Sequence, residues 1–221
     1  MVKNSKKIKN KIGHHFVYDF VKISGALPTL IWLRPKIIRP DGKQKIKGGF
    51  MCTANHFGFL DPIIVQCVFW NRRIYSLATK DLFRNPFLEW FFTKVHCIIV
   101  DKSNFSMSSF HEVTKRLKQG KVVSIFPEGS VRVNEREMTA FKSGSVLMAH
   151  NARAPIVPMY IVPAGKWYQR RYIVVGAPID VRAVCGDRPS MEDINKVTEI
   201  IRQKSQDLKQ YYEENYPDRV K

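Results

Sequence analysis

The sequence lacks an apolar run long enough to cross a membrane. A helix that spans a bilayer needs about 20 predominantly apolar residues. The most apolar amino-terminal stretch, from Phe16 to Leu33, is interrupted by Asp19, Lys22 and Pro28. The basic start also lacks the unbroken apolar region and the cleavage site of a signal peptide. We therefore expect neither a transmembrane helix nor a secretory signal.

Cysteine pairs and metal-binding patterns are also missing. The four cysteines have no Cys-x-x-Cys spacing and lie mostly within apolar runs, which predicts reduced, buried thiols and a cytoplasmic protein; they are Cys52, Cys67, Cys97 and Cys185. No His-x-x-x-His or Cys/His cluster is present, so we predict no metal site. The segment Lys142–Ser145 does not match the Gly-x-Ser-x-Gly elbow of serine hydrolases.

Acidic residues are scarce relative to basic ones. The chain has 37 Lys and Arg against 19 Asp and Glu, a net charge of +18. Residues 1–50 hold twelve basic residues against two acidic ones, whereas residues 188–221 hold seven of each. Such a positive field favours anionic partners, namely nucleic acid, anionic lipid or phosphorylated substrates.

Length and patterning predict one α/β domain preceded by an amphipathic segment. A chain of 221 residues with 44% hydrophobic residues fits a single core. Residues 1–47 combine a basic arm with two short helices, which we expect to be joined by a turn at Gly25–Pro28. Basic flanks with Phe, Trp and Leu are typical of a membrane-docking segment, although a helix pair that covers the core fits the same pattern.

In residues 48–221, short apolar runs alternate with helical patterns, which is typical of an α/β fold. The predicted strands are Phe50–Ala54, Ile74–Leu77, Cys97–Val100, Val122–Phe126, Ile156–Ile161 and Ile173–Val175. Helices are predicted over Pro62–Trp70, around Phe110, Val113 and Leu117, over Lys142–Asn151 and from a capping box at Ser190 onward.

Three polar turns follow predicted strands, where ligands gather in α/β sheets. The first contains Asn55 and His56, the second Asp101 and Lys102, and the third runs from Pro127 to Ser130. We expect these turns to share one cleft.

A histidine exchanges protons near neutral pH, and a carboxylate on one ring nitrogen would leave the other free to act as a base. Asp61 is the nearest such carboxylate to His56. The pair can form only if His56 lies in the turn and Asp61 opens the following helix. An N-cap role for Asp61 is compatible with this pairing.

The third turn places a carboxylate, Glu128, at the edge of the core, and Gly129 can supply a positive φ. Cationic side chains that could bind a phosphate are Lys102, Arg132 and Lys142. A plain turn with solvated charges is the alternative interpretation.

Two blocks of residues resemble the glycerolipid acyltransferase family, which includes lysophosphatidic acid acyltransferase. Asn55, His56 and Asp61 match its Asn-His-x-x-x-x-Asp block, and residues 126–130 match Phe-Pro-Glu-Gly-Ser/Thr. An apolar block rich in Val and Pro is similar to residues 156–163. The resemblance covers roughly residues 48–178 and implies a mixed β-sheet flanked by helices.

The resemblance implies acyl transfer from a thioester of acyl carrier protein or coenzyme A to the hydroxyl of 1-acylglycerol 3-phosphate, which forms phosphatidic acid. His56 would be the base and Asp61 its orienting partner, with Asn55, Glu128, Gly129 and Ser130 in acceptor binding. No cofactor is implied beyond the thioester co-substrate.

Two departures from the family pattern concern the acceptor phosphate. Lys102 stands where Arg is usual, and Val131 occupies the usual Arg position of the third block, so that Arg132 is displaced by one residue. The expected partners are lysophosphatidic acid or a related lysolipid, the acyl thioester, and an anionic membrane surface at the cytoplasmic face of the cell membrane, where we expect peripheral association.

Three alternatives remain open from the sequence. The acceptor could be glycerol 3-phosphate or another lysolipid. The basic surface could bind nucleic acid, although no recognised nucleic-acid motif is present, and we predict no nucleic-acid partner. An inactive, membrane-bound scaffold is the third alternative, against which the intact His56 and Asp61 argue.

Overall fold

The fold is built around a seven-stranded sheet with one antiparallel pair. The computed structural model describes residues 16–58, 60–83, 85–100, 107–129, 138–163 and 169–217. The strands are β1 (Lys36–Ile38), β2 (Phe50–Ala54), β3 (Ile74–Thr79), β4 (Cys97–Val100), β5 (Val122–Ile125), β6 (Ile156–Ile161) and β7 (Tyr172–Val175). Their order is β1-β7-β6-β2-β5-β3-β4. Only β6 and β7 pair antiparallel.

Besides the helical residues 16–21, seven α-helices accompany the strands in the described residues. They are α1 (Leu27–Leu33), α2 (Asp61–Val68), α3 (Pro86–Lys94), α4 (Met107–Lys118), α5 (Gly144–Ala152), α6 (Val181–Cys185) and α7 (Met191–Asn215). A π-helix, Lys22–Ala26, precedes α1, and a 3-10 turn, Lys80–Leu82, follows β3. Together these elements confirm the predicted single α/β domain with a mixed sheet flanked by helices.

The apolar core has two halves, one on each face of the sheet. On the front face, α2 packs against alternate residues of β2, β6 and β7, such as Phe50, Val157 and Ile173. On the back face, α4, α5 and α7 pack against the other set, which includes Met51 and Val174. This alternation follows from the two-residue period of a strand. It determines which side chains reach each face at the ends of the strands.

All six predicted strands are present; three have the predicted ends, and each of the other three differs at one end by one or two residues. β1 was not predicted, because only three residues separate Pro35 from Arg39, too few to show an alternating pattern. It pairs with β7, so the sheet takes an edge strand from the amino-terminal range of residues 1–47. The proposed division at residue 48 stays a prediction.

Two helices were also missed. α3 has Asn85 as its N-cap and Pro86 in its first turn, yet none of its residues is buried, so it lacks the apolar stripe that identifies a core helix. α6 has only five residues. The capping box of α7 is present as predicted, with Ser190 and Asp193 bonded reciprocally.

The predicted turn at Gly25–Pro28 is wrong. Residues 16–21 are helical, and the chain continues through the π-helix into α1. Pro28 would contact the carbonyl of Ser24 in a regular α-helix, and the wider π turn lies directly before it. The backbone therefore accommodates the proline by locally wider winding instead of leaving the helix.

This amino-terminal helical segment (residues 16–33) is attached to the front face beside α2. The hydroxyl of Tyr18 donates to Gln66 of α2 (2.6 Å) and accepts from the backbone N–H of Ile74 (2.8 Å). Arg73 forms a two-pronged ion pair with Asp19. The segment thus has specific polar contacts with the domain.

The outer side of the segment is apolar and exposed. Its exposed side chains recur at intervals of three or four residues, which is one face of a helix; they are Phe16, Phe20, Ile23, Leu27 and Ile31. Phe87 and Trp90 of α3 are exposed as well. Among the described residues, no helix combines the length and apolar character needed to span a bilayer.

Candidate active site

The site begins at the turn between β2 and α2. All five residues of β2 are buried, and the chain leaves the sheet at Asn55. His56 lies in this turn, and Asp61 is the first residue of α2. Pro62 stands in the first turn of the helix, where its missing N–H costs nothing. The arrangement that the five-residue spacing required is therefore present.

One oxygen of Asp61 holds the turn together. Its Oδ2 accepts hydrogen bonds from Nδ1 of His56 (2.9 Å) and from the backbone N–H groups of Phe57 (2.6 Å) and Gly58 (2.8 Å). Because a carboxylate only accepts, Nδ1 of His56 carries the proton in this bond. The lone pair of a neutral His56 is then on Nε2, the atom that a general base uses.

Phe126 fixes the other side of the imidazole. Its ring, directly after β5, stacks on His56 with centroids 4.1 Å apart and an interplanar angle of 17°. The His56 side chain is 17% exposed. The imidazole of His56 is thus held between Asp61 and Phe126, with part of its ring open to solvent.

The Glu128–Gly129 turn lies next to His56 because β5 pairs parallel with β2. Gly129 has a φ of +73°, which glycine adopts without strain. Its N–H donates to the carbonyl of Phe126 (3.1 Å), and the N–H of Lys142 donates to the carbonyl of Pro127 (3.0 Å). Two of the three predicted polar turns therefore meet at one edge of the sheet.

The side chain of Lys142 covers this turn. A Cβ atom at position 129 would lie 2.9 Å from Nζ of Lys142, so the flexible end of the lysine rests against Gly129 and would have to shift for any larger residue. Glu128 is 9% exposed and accepts a hydrogen bond from Thr139 Oγ1 (3.2 Å). The turn next to His56 thus carries a buried carboxylate and is covered by a cation.

The side chain of Asn55 is bonded to the backbone of β6. Its Nδ2 donates to the carbonyl of Ile161 (2.8 Å), and its Oδ1 accepts from the N–H of Ile161 (2.7 Å). The side chain is completely buried. These bonds join the ends of β2 and β6 and so hold the turn that carries His56, while the substrate-binding role of Asn55 stays a prediction.

Arg171 is a residue that sequence reasoning missed. It directly precedes β7, which runs antiparallel to β6, so it lies at the same sheet edge as the ends of β2 and β6. The Asp61 carboxylate acts electrostatically on its guanidinium. No sequence signal identified it, because its position depends on the direction of β7.

Three predicted binding residues, Lys102, Ser130 and Arg132, lie outside the described residues, as does Asp101. Within the described ranges, no three His, Cys, Asp or Glu side chains are grouped as metal ligands. The four cysteines are free thiols.

The remaining buried histidines have contacts elsewhere. His96 stacks on Tyr18 and Tyr75, and Nε2 of His150 lies 2.8 Å from the carbonyl of Gly186.

Comparison with known proteins identifies the family. Residues 34–162 match the model of the acyltransferase family, and this range contains His56, Asp61 and the Glu128–Gly129 turn. The chain therefore belongs to the acyltransferase family and is an enzyme of that class.

Among its relatives is the 1-acyl-sn-glycerol-3-phosphate acyltransferase of Bacillus subtilis, which is 32% identical over 72% of this chain and 81% of its own length. The enzyme of the same name from Limnanthes alba is 28% identical over 80% of this chain and 60% of its own length. The crystal structure of the 1-acyl-sn-glycerophosphate (LPA) acyltransferase from Thermotoga maritima has the same fold. The two structures superpose with a TM-score of 0.63 at 19% identity, and the match covers 90% of this chain and 83% of the Thermotoga maritima chain.

Proposed function

We propose that this enzyme transfers a fatty acyl group from a thioester to the free hydroxyl of 1-acylglycerol 3-phosphate, with phosphatidic acid as the product. The observation that carries the proposal is the bond between His56 and Asp61, which leaves Nε2 of His56 as the available base.

The proposed reaction has one direct acyl transfer. Nε2 of His56 removes the proton of the acceptor hydroxyl, and the oxygen attacks the thioester carbonyl carbon. The tetrahedral intermediate collapses, the carbon–sulfur bond breaks, and the imidazolium returns its proton to the departing thiolate. The products are an ester and a thiol. No covalent acyl-enzyme forms, and neither a metal nor a further cofactor takes part.

Asp61 stabilises the imidazolium that forms on His56 during this reaction. Its oxygen is 2.9 Å from Nδ1 of His56, so the positive charge that forms on the ring is balanced at contact distance. Two backbone N–H groups hold the same oxygen, which keeps it from rotating away. The geometry therefore favours proton removal at Nε2.

The charge around the turn favours an anionic acceptor. Lys142 covers the Glu128–Gly129 turn next to the base, and the chain has a net charge of +18. The relatives named above take their names from a phosphate-bearing lysolipid. A lysophosphatidic acid fits this environment, and its glycerol hydroxyl supplies the nucleophile.

The first test is acyl transfer from coenzyme A and acyl carrier protein thioesters to lysophosphatidic acid, glycerol 3-phosphate and neutral or zwitterionic lysolipids. We expect phosphatidic acid from lysophosphatidic acid, and at least a ~100-fold loss in folded His56→Ala. His111→Ala is the matched control, because His111 is an exposed histidine on α4.

Equal activity of His56→Ala and wild type would contradict the mechanism. A preference for another acceptor would replace the proposed substrate. Inactivity of the wild type on every acceptor, together with salt-sensitive binding of nucleic acid, would replace the proposed function.

We also propose that the protein associates peripherally with an anionic membrane surface at the cytoplasmic face. The exposed apolar side of residues 16–33 supports this, since burial of Phe and Ile side chains in the interface provides affinity and basic residues add attraction to anionic lipid. Free thiols are in keeping with a reducing compartment.

Vesicle co-sedimentation tests this association. The double variant Phe20→Ser/Ile31→Ser should bind anionic vesicles at least ~10-fold more weakly than wild type, because two large apolar contacts are lost. Val184→Ser/Met191→Ser is the control, since these residues are also exposed but lie outside the segment. Equal loss in both double variants would contradict docking through residues 16–33.

A further inference from the structure

Arg171 lies at the sheet edge that carries the base. β7 runs antiparallel to β6, with Ile173 opposite Ile161, and the N–H of Val162 donates to the carbonyl of Tyr172 (3.0 Å). The start of β7 therefore lies beside the end of β6, to which Asn55 is bonded.

The direction of the Arg171 side chain follows from the way side chains along β7 alternate between the two faces of the sheet. Tyr172 and Val174 pack in the back half of the core, whereas Ile173 and Val175 pack in the front half with α2. Because neighbouring residues of a strand point to opposite faces, Arg171 points to the front face. That face carries Asp61 at the start of α2.

Arg171 is a partly buried cation with unused hydrogen-bonding capacity. Its Nε is shielded from solvent and donates to no acceptor among the described residues. Burial lowers the pKa of its guanidinium, and the Asp61 carboxylate opposes that shift. No ion pair joins Arg171 to Asp61 within the described residues, where Asp61 Oδ2 instead takes hydrogen bonds from the His56 turn.

The strand order places Arg171 and Lys142 on opposite sides of His56. In the order β7-β6-β2-β5, Arg171 is at β7, His56 follows β2, and Lys142 covers the turn after β5. β7 and β2 are two strand spacings apart, which is about 10 Å, and the long side chain of Arg171 can extend across part of that distance toward His56. The base thus has a cation on each side.

We propose that Arg171 binds a phosphate group of a substrate on the side of His56 opposite Lys142. The inference rests on the proposed function, in which the acceptor and the phosphopantetheine arm of the donor each carry a phosphate. A guanidinium with free donors suits either group, since it can form two parallel hydrogen bonds to phosphate oxygens.

Steady-state kinetics of Arg171→Gln and Arg171→Lys, with each substrate varied in turn, test the proposal. Loss of a charge-assisted hydrogen bond should raise one KM about tenfold or more, with a smaller rise for Arg171→Lys, which keeps the charge but loses the fork. A higher KM for lysophosphatidic acid assigns the acceptor phosphate, and a higher KM for acyl-coenzyme A assigns the donor phosphate. Arg170→Gln is the matched control, because Arg170 is an exposed neighbour of equal charge.

A binding measurement without turnover accompanies the kinetics. Calorimetric titration of His56→Ala with coenzyme A and with lysophosphatidic acid micelles, with and without Arg171→Gln, should show the same selective weakening. Unchanged binding and unchanged KM values would overturn the proposal, as would a fall in kcat alone. If the wild type bound a phosphate ligand through Arg171 but transferred no acyl group, the proposed reaction would fail while this site would stand.

Discussion

Replacing Asp61 with Asn removes one charge while it keeps the shape of the turn. An amide oxygen can still accept from the backbone N–H groups of Phe57 and Gly58, which bond to Asp61 Oδ2 at 2.6 and 2.8 Å. The variant therefore keeps its fold and loses mainly the anion beside His56. Thermal unfolding within a few degrees of wild type would verify this.

The expected loss in rate follows from the distance. Opposite unit charges 2.9 Å apart attract by about 6 kcal/mol at an effective dielectric constant of about 20, which is an upper bound on what the imidazolium loses. A loss in kcat of about 10²- to 10⁴-fold corresponds to about 2.7–5.5 kcal/mol and lies within that bound. We expect Asp61→Asn to fall in this range when phosphatidic acid formation is measured at saturating substrates.

A double-mutant cycle makes the test specific. Once His56 is replaced by Ala, no imidazolium remains for Asp61 to stabilise, so Asp61→Asn should have little further effect in the His56→Ala background. If Asp61→Asn alone costs less than tenfold, or if its full effect persists without His56, the role of Asp61 as charge partner is refuted.

Three further predictions concern the turn, the sheet and pH. Gly129→Ala and Gly42→Ala each put Ala at a φ of +73°, and each variant should lose about 1 kcal/mol of unfolding free energy in urea. Only Gly129→Ala should also reduce acyl transfer, because only at position 129 does the added methyl group meet a lysine ammonium. Equal acyl-transfer activities of the two variants would contradict this. Asn55→Ala leaves two buried backbone groups of β6 unpaired and should lower the free energy of unfolding by about 2–5 kcal/mol, whereas a loss below about 1 kcal/mol would argue against the bridge. Burial raises the pKa of Cys97 from 9.0 to about 12 and that of Tyr18 from 10.0 to about 12, so the unfolded chain releases these protons first. The free energy of unfolding should therefore fall by up to about 1.4 kcal/mol per pH unit for each group, between about pH 9 and 12 for Cys97 and between about pH 10 and 12 for Tyr18. Cys97→Ala and Tyr18→Phe should flatten that slope, and a stability independent of pH in this window would contradict the assignment.

The sequence was sufficient for the parts of the site that depend on local order. A strand followed by His56, then Asp61 before Pro62, defines a turn and a helix start within seven residues, and the structure has both. The Glu128–Gly129 turn was likewise predictable, because glycine after an apolar run indicates a positive φ. Short-range chemistry determines these features.

Contacts between residues distant in the sequence could not be predicted from the sequence. Asn55 bonds Ile161, 106 residues away, and no pattern in one sequence fixes the register between their strands. The position of Arg171 depends on the direction of β7, which together with its parallel neighbour β1 runs opposite to the other five strands. Helix α3 was not predicted because its apolar residues are not buried and so do not form the regular core-facing stripe that indicates a helix.

The hydrogen bonds between Asn55 and Ile161 also set an order of events during protein synthesis. A ribosome that has released residues 1–150 has already delivered His56, Asp61 and the Glu128–Gly129 turn. The strand that fixes the His56 turn to the sheet has not yet appeared, because β6 begins at Ile156. Since β2 lies between β5 and β6, its second neighbour is missing until then. Between the synthesis of Asp61 and that of Ile161, a nascent chain therefore carries His56 and Asp61 without the strand that fixes their turn, and the site is assembled only when the last third of the polypeptide folds back onto the first.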